Sequence, residues 1–199
     1  YFKISKREYK DLPNSYIIQK DDKADSGFKE TEIKIYRIGK LLGSGTYKIA
    51  KQMQEITTSE LHVRGKFKNL NPRQIAIEFP EMETIMKLTR GMPYIKAGHY
   101  IVFKSARTSQ EYAAVMSEYA ITDLFKAIQK GLSDDNKKKY SLHLLTGLEA
   151  LHCKKIAHRD IKPHNINIIE DPKTGETTAN HVDFDFATMV GTKAGKGSP

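Results

Sequence analysis

The chain has 199 residues, 39% of them hydrophobic and 29% charged, with a formal net charge of +9. That length can bury a real core in one domain or two small lobes, and the lone cysteine, Cys153, excludes a disulfide framework. No apolar run is long enough to span a bilayer, and the opening residues do not read as a signal peptide.

A basic balance favours phosphates, acidic proteins, nucleic acid or anionic lipid as partners. No stretch interleaves aromatic and basic residues as a nucleic-acid face does, so nucleic acid is not the expected partner. Single-cysteine usage fits a reducing compartment, so the cytoplasm, or else the nucleus, is the expected location. Cys153 itself reads as a small core residue on a helix.

In chain order, residues 1–32 are polar and charged. Pro13-Asn14-Ser15 and the run from Asp21 to Gly27 signal loops, and Tyr16-Ile17-Ile18 a short strand. Ile33, Ile35 and Ile38 predict a strand running into Leu41-Leu42-Gly43-Ser44-Gly45-Thr46-Tyr47-Lys48. Glycines at 43 and 45 let the backbone turn tightly and offer bare N–H groups to a phosphate, and the same pair also suits an ordinary hairpin. The stretch Glu60-Leu61-His62-Val63-Arg64-Gly65-Lys66-Phe67 follows. Pro72 and Pro80 disturb helical geometry, but from Pro80 onward a helix is predicted whose Glu81, Ile85 and Leu88 share one face.

His99 to Phe103 and Glu111 to Met116 predict two strands around a polar turn. Ser117-Glu118-Tyr119 then leads to Thr122-Asp123, a capping pair for a helix from Leu124. A helix over 134–152 carries Asp134 and Asp135 near its positive end. Its Leu142, Leu145, Leu148 and Leu151, at steps of three, predict a buried face. Next comes His158-Arg159-Asp160-Ile161-Lys162-Pro163-His164-Asn165, which holds a base candidate (Asp160), a fixed cation (Lys162) and a metal-binding amide (Asn165). Ile166 to Ile169, a turn from Asp171 to Gly175, and His181-Val182-Asp183-Phe184-Asp185 complete a hairpin that ends on a second carboxylate, Asp183. Thr188 to Pro199 is small, polar and basic.

The run HRDIKPHN resembles the catalytic loop of the eukaryotic-type protein kinases, a pattern with a known template. The resemblance implies an α+β, bilobal fold: an antiparallel β-sheet N-lobe with one regulatory helix, and a partial, mainly helical C-lobe. It divides the chain into an N-terminal extension (1–32), an N-lobe (33–116), and a hinge with partial C-lobe (117–199). It also implies ATP and Mg²⁺ as cofactors and a protein with a Ser or Thr acceptor as substrate. By the same resemblance Asp160 would take the acceptor proton, Lys162 would offset charge as in the Ser/Thr-specific branch, and Asn165 and Asp183 would hold Mg²⁺.

Leu42, Gly43, Ser44 and Gly45 fall in the family's Gly-rich loop, where Lys48 replaces the third glycine. Ala50 replaces the Val that packs on adenine. Lys66 maps onto the phosphate-binding lysine, with Lys68 one pleat away as the alternative. Glu81 is its expected ion-pair partner, and Glu78 the competitor. Met116 would guard the back of the adenine pocket, the backbone of Ser117 to Tyr119 would bind the adenine edge, and Asp123 would reach the ribose or cap its helix. Asp183-Phe184-Asp185 matches Asp-Phe-Gly with Asp185 for Gly, and Asp185-Phe186-Ala187 is a second register. Thr192 and Ser198 are phosphorylation candidates. The family's Ala-Pro-Glu and later helices do not appear by Pro199, so a continuation is expected. A pseudokinase scaffold, and a basic nucleic-acid adaptor, are the competing readings.

Overall fold

The computed structural model describes residues 16–22, 31–56, 58–104 and 111–191. Thr192, Ser198, Pro13 to Ser15 and residues 23–27 lie outside them. The chain divides into two compact units, Tyr1–Asn71 with Ile101–Met116, and Pro72–Tyr100 with Ser117–Pro199.

The first unit carries a six-stranded sheet in the order β1-β2-β3-β4-β6-β5. Its strands are Tyr16–Asp22 (β1), Thr31–Ser44 (β2), Lys48–Glu55 (β3), Leu61–Phe67 (β4), His99–Lys104 (β5) and Glu111–Glu118 (β6). β1 to β4 pair antiparallel with their neighbours in sequence. β2 to β4 follow one another closely in sequence, which makes their pairing cheap in chain entropy. Tyr36, Met53 and Met116 form its buried cluster, with Ile38 and Ile101 packed against it. The β2–β3 register shifts twice, between Ile38 and Leu41 and between Leu41 and Gly43. Each shift changes which face the following side chains take.

The second unit begins with two short helices, Pro72–Glu78 (α1) and Met82–Leu88 (α2). Pro72 sits at the first helical position, where its missing N–H costs nothing. Pro80 falls between the helices, so the helix predicted from that residue starts two positions later. Glu81 is the N-cap of α2, outside its regular turns. The buried residues of α2 are Met82, Ile85 and Met86, whereas Leu88 is 47% exposed, so the expected Glu81–Ile85–Leu88 face is corrected at its far end.

Leu124–Gln129 (α3) is capped as predicted: Asp123 Oδ1 accepts from Lys126 N at 2.8 Å. Asp134–Cys153 (α4) starts on Ser133, whose hydroxyl accepts from Asn136 N at 3.3 Å. The leucine row on α4 is corrected: Leu142 and Leu145 are 65% and 66% exposed, while Leu151 is fully buried. At 3.6 residues per turn a three-residue step walks about 60° around the helix, so the three steps from Leu142 to Leu151 carry the row about 180° around and off one face. The buried set is Tyr140, His143, Gly147 and Leu151. Gly147 is small because a Cβ there would meet His181 Cδ2 at 3.0 Å and Tyr94 O at 3.3 Å. Cys153 is exposed at the helix end, which corrects its reading as a core residue.

After α4, Ile156–Ala157 (β8) pairs with Thr188–Met189 (β11), and Thr122–Asp123 (β7), Ile166–Glu170 (β9) and Thr177–His181 (β10) form a three-stranded sheet. The β9–β10 turn is built by Asp171, whose Oδ1 accepts from Lys173 N at 2.7 Å, and by Gly175 at φ +71°. Tyr140, Ile166, Ile168 and Ala179 form the core beneath it. Among the described residues no helix is long and apolar enough to cross a membrane.

Candidate functional site

The loop between β8 and β9 gathers three of the residues singled out by sequence. Lys162 Nζ donates to Asp160 Oδ1 at 2.9 Å and Oδ2 at 2.7 Å. Asn165, buried in a 3₁₀ turn that opens on Pro163, donates Nδ2 to Asp160 O at 2.9 Å and Oδ2 at 2.7 Å. Both Asp160 atoms are acceptors only, so the amide must present its nitrogen to them. Its oxygen Oδ1 is then the atom that Asn165 can offer to a cation.

Asp183 reaches this loop through the residue before it. Val182 N donates to Asn165 O at 3.1 Å, and Val182 O bonds His158 Nε2 at 2.9 Å. His158 Nδ1 accepts from Asp160 N at 3.3 Å. A ring that accepts at Nδ1 and meets a carbonyl at Nε2 is the neutral Nε2–H tautomer. Sequence reading assigned this buried imidazole no role, yet it ties Asp160 to the end of the hairpin. Its position beside Arg159-Asp160 was the available signal. Asp183 adopts φ +65°, and Arg159 likewise +65°. Left-handed strain therefore falls on Asp183 rather than on Asp185, the position at which the resembled pattern has glycine. Asp185 is buried at 5% exposure.

Glu81 sits in the second unit with its Oε2 accepting from the Thr188 hydroxyl and from Met189 N, the latter at 2.9 Å. Thr188 had no sequence signal, because 107 residues separate the pair. Glu83 is exposed and pairs with Lys87 Nζ at 2.8 Å. Asp123 serves as cap and also pairs with Lys126 Nζ at 2.8 Å. Burial alone would raise its pKa, but the bonds from Lys126 and the charges of Lys126 and His164 hold it below the usual carboxylate value. His164 stacks on Phe125 with ring centroids 4.2 Å apart. Ser117 and Tyr119 are half-buried beside Glu118, which binds Lys96 Nζ at 2.7 Å.

In the first unit Leu42, Gly43, Ser44 and Gly45 are exposed, and the hairpin turn closes through Gly45 N to Lys48 O at 2.9 Å. Lys68 Nζ donates to Gly45 O at 2.5 Å, so the alternative lysine is bound to the glycine turn itself. Lys66 Nζ lies 3.6 Å from the centroid of the Tyr112 ring. Burial, then the charges of Arg64 and Lys51, lower its pKa. Ala50 pairs with Gly65 while Lys66 pairs with Ile49, so Ala50 and Lys66 project from opposite faces of the sheet. Met116 is buried with Tyr36 and Met53. Lys66 and Glu81 belong to different units.

Three histidines are buried in the second unit: His143, His158 and His181. Burial is the largest cause lowering each pKa below the ordinary 6.5. The Val182 bond and the charges of Asp183 and Asp160 only partly offset it for His158. The unfolded chain therefore binds protons that the folded one resists. Stability is full above about pH 6.5 and falls as the pH drops below it. Urea unfolding at pH 7.5 and pH 5.5 checks this, with the lower midpoint expected at pH 5.5.

A family model described as "Protein kinase domain" matches residues 36–196. Among curated proteins, "Probable serine/threonine-protein kinase fhkD" of Dictyostelium discoideum is 29% identical over 191 residues, covering 92% of this chain and 24% of that protein. The "Carbon catabolite-derepressing protein kinase" of Secale cereale is 30% identical over 152 residues, 71% of this chain and 29% of the relative. "Serine/threonine-protein kinase DCLK2" of Rattus norvegicus is 27% identical over 165 residues, 80% of this chain and 20% of the relative. The chain thus spans less than a third of the length of each of these relatives.

Proposed function

Because the chain belongs to the protein kinase domain family, we propose that it transfers the γ-phosphate of ATP to a Ser or Thr hydroxyl of a protein substrate. The observation that carries this reading is Asp160 held by Lys162 Nζ at 2.7 Å and Asn165 Nδ2 at 2.7 Å. Asp160 orients the acceptor hydroxyl and takes its proton. Lys162 supplies positive charge beside the oxygens that gain negative charge. The Ser/Thr preference is supported by Lys162 and by the names of the relatives.

The donor set fits Mg²⁺, which takes oxygen ligands: Asn165 through Oδ1 and Asp183 through its carboxylate. Mg²⁺-ATP, when bound, supplies the phosphoryl group and the electrostatic pull on it. In this reading the Gly43 to Gly45 turn and Lys66 serve the phosphates, and Met116, Ser117, Tyr119 and Asp123 the nucleoside, which the resemblance of these stretches to the family pattern supports. The chain's single cysteine supports a reducing compartment as its location.

A second reading, a nucleotide-binding scaffold without transfer, draws on Glu81 being bound to Thr188 and Met189 and on Lys66 lying over Tyr112. The two readings part in one assay. The purified chain is given Mg²⁺-ATP and peptides that differ only in a Ser, Thr or Tyr acceptor. Label on Ser and Thr peptides is expected. Label on Tyr alone overturns the specificity, and retained nucleotide with no transfer to any peptide establishes the scaffold.

A further inference from the structure

The β3–β4 hairpin ends in a group of side chains that phosphate transfer does not use. Glu55 closes β3, His62 is the second residue of β4, and Glu60 lies in the turn between them. The turn is held by its own backbone: Glu55 N donates to Glu60 O at 2.9 Å, and Ser59 N to Glu55 O at 2.9 Å. Glu60 N donates to Thr58 Oγ1 at 3.2 Å, and Ser59 takes φ +62°. These bonds hold Glu55 and Glu60 at one end of the hairpin with His62 beside them.

One ligand atom from each of Glu55, Glu60 and His62 lies within 4.8 Å of the other two. His62 Nε2 is 3.7 Å from Glu55 Oε2 and 3.9 Å from Glu60 Oε2. Both distances are too long for hydrogen bonds. That nitrogen is nonetheless buried, and it has no hydrogen-bond partner among the described residues. The ring is held edge-on to Tyr36, centroids 5.5 Å apart at 87°. Glu55 is buried at 3% exposure, whereas the Glu60 side chain is 67% exposed and leaves a way in from solvent.

We propose that Glu55, Glu60 and His62 form a Zn²⁺ site at the tip of this hairpin, with water as the fourth ligand. A buried carboxylate beside a second carboxylate and an imidazole nitrogen lacking a hydrogen bond are together what a divalent cation satisfies: two negative charges and one lone pair. Ligand atoms about 2.0–2.2 Å from a tetrahedral zinc stand roughly 3.4 Å apart. The present separations of 3.7 and 3.9 Å need only small side-chain rotations to close. An imidazole donor favours zinc over Mg²⁺ or Ca²⁺, which take oxygen. Arg64, next along the same face of β4, is also buried.

The metal-free full chain, without nucleotide, is titrated with Zn²⁺ alone by calorimetry while its thermal midpoint is followed. The wild type is expected to bind an equivalent of Zn²⁺ that raises the midpoint. His62→Gln and Glu60→Gln each lose that equivalent, or weaken it beyond the roughly 10–100-fold that loss of an outer partner costs. Asp183→Asn, which removes the carboxylate assigned to Mg²⁺, keeps it. Glu60→Gln alters an exposed side chain and leaves the turn's backbone bonds in place, so its folding is not at issue. If both Gln variants bind as many equivalents as the wild type, or if the wild type binds none, the site does not exist.

Discussion

Asp160→Asn is expected to lower phosphate transfer by about 10²–10⁴-fold, the usual contribution of a positioned general base. The loss should fall on kcat, with little change in the affinity for nucleotide, because in the proposed role the carboxylate acts on the acceptor hydroxyl and its proton. The substitution keeps the side chain's shape but turns one acceptor into a donor. Two donors already face that carboxylate, Lys162 Nζ at 2.7 Å and Asn165 Nδ2 at 2.7 Å. An amide at 160 can satisfy them only through its oxygen, so its NH₂ must turn elsewhere. Steady-state transfer and nucleotide titration on both proteins check the split. A variant as active as the wild type would remove Asp160 from the chemistry.

Phe184→Ala is expected to cost about 3–5 kcal/mol of stability, the usual range for emptying a fully buried aromatic site. Phe184 is 0% exposed, and its ring centroid lies 4.4 Å from that of His158. The cavity would remove the packing from one side of the imidazole that joins Asp160 N to Val182 O. Asp183 would then lose the support on both flanks that holds its backbone at φ +65°. Urea unfolding measures the loss, and Mg²⁺-ATP affinity measured well below the transition reads the displacement of Asp183. Phe184→Leu leaves a smaller void and should cost less than the alanine change. A midpoint unchanged in Phe184→Ala would mean that this ring is not part of the core.

Much of the candidate site was legible because its signals are local. Asp123 caps α3 through an N–H three residues away, and Asp171 builds its turn through N–H groups two and three residues on. Asp160, Lys162 and Asn165 meet within one six-residue segment, so their spacing nearly dictates their contact. In the N-terminal sheet β1, β2, β5 and β6 were legible from apolar residues, whereas Lys48–Glu55 (β3) carried no strand expectation. Boundaries failed where a single residue decided them: Pro80 delayed α2 and left Glu81 at its cap.

From the sequence alone came the contacts of Asp160, Lys162 and Asn165, the hairpin behind them and the cap before α3, because each rests on bonds between near neighbours. Tertiary structure alone decided which face of α4 is buried, since a leucine row does not say where the rest of the protein lies. It also decided that Glu81 binds Thr188 and Met189, that Ala50 and Lys66 take opposite faces, and that His158 bridges to Val182. Those outcomes depend on register and packing between segments far apart in the chain, where energies of many small contacts compete and no short pattern records the winner.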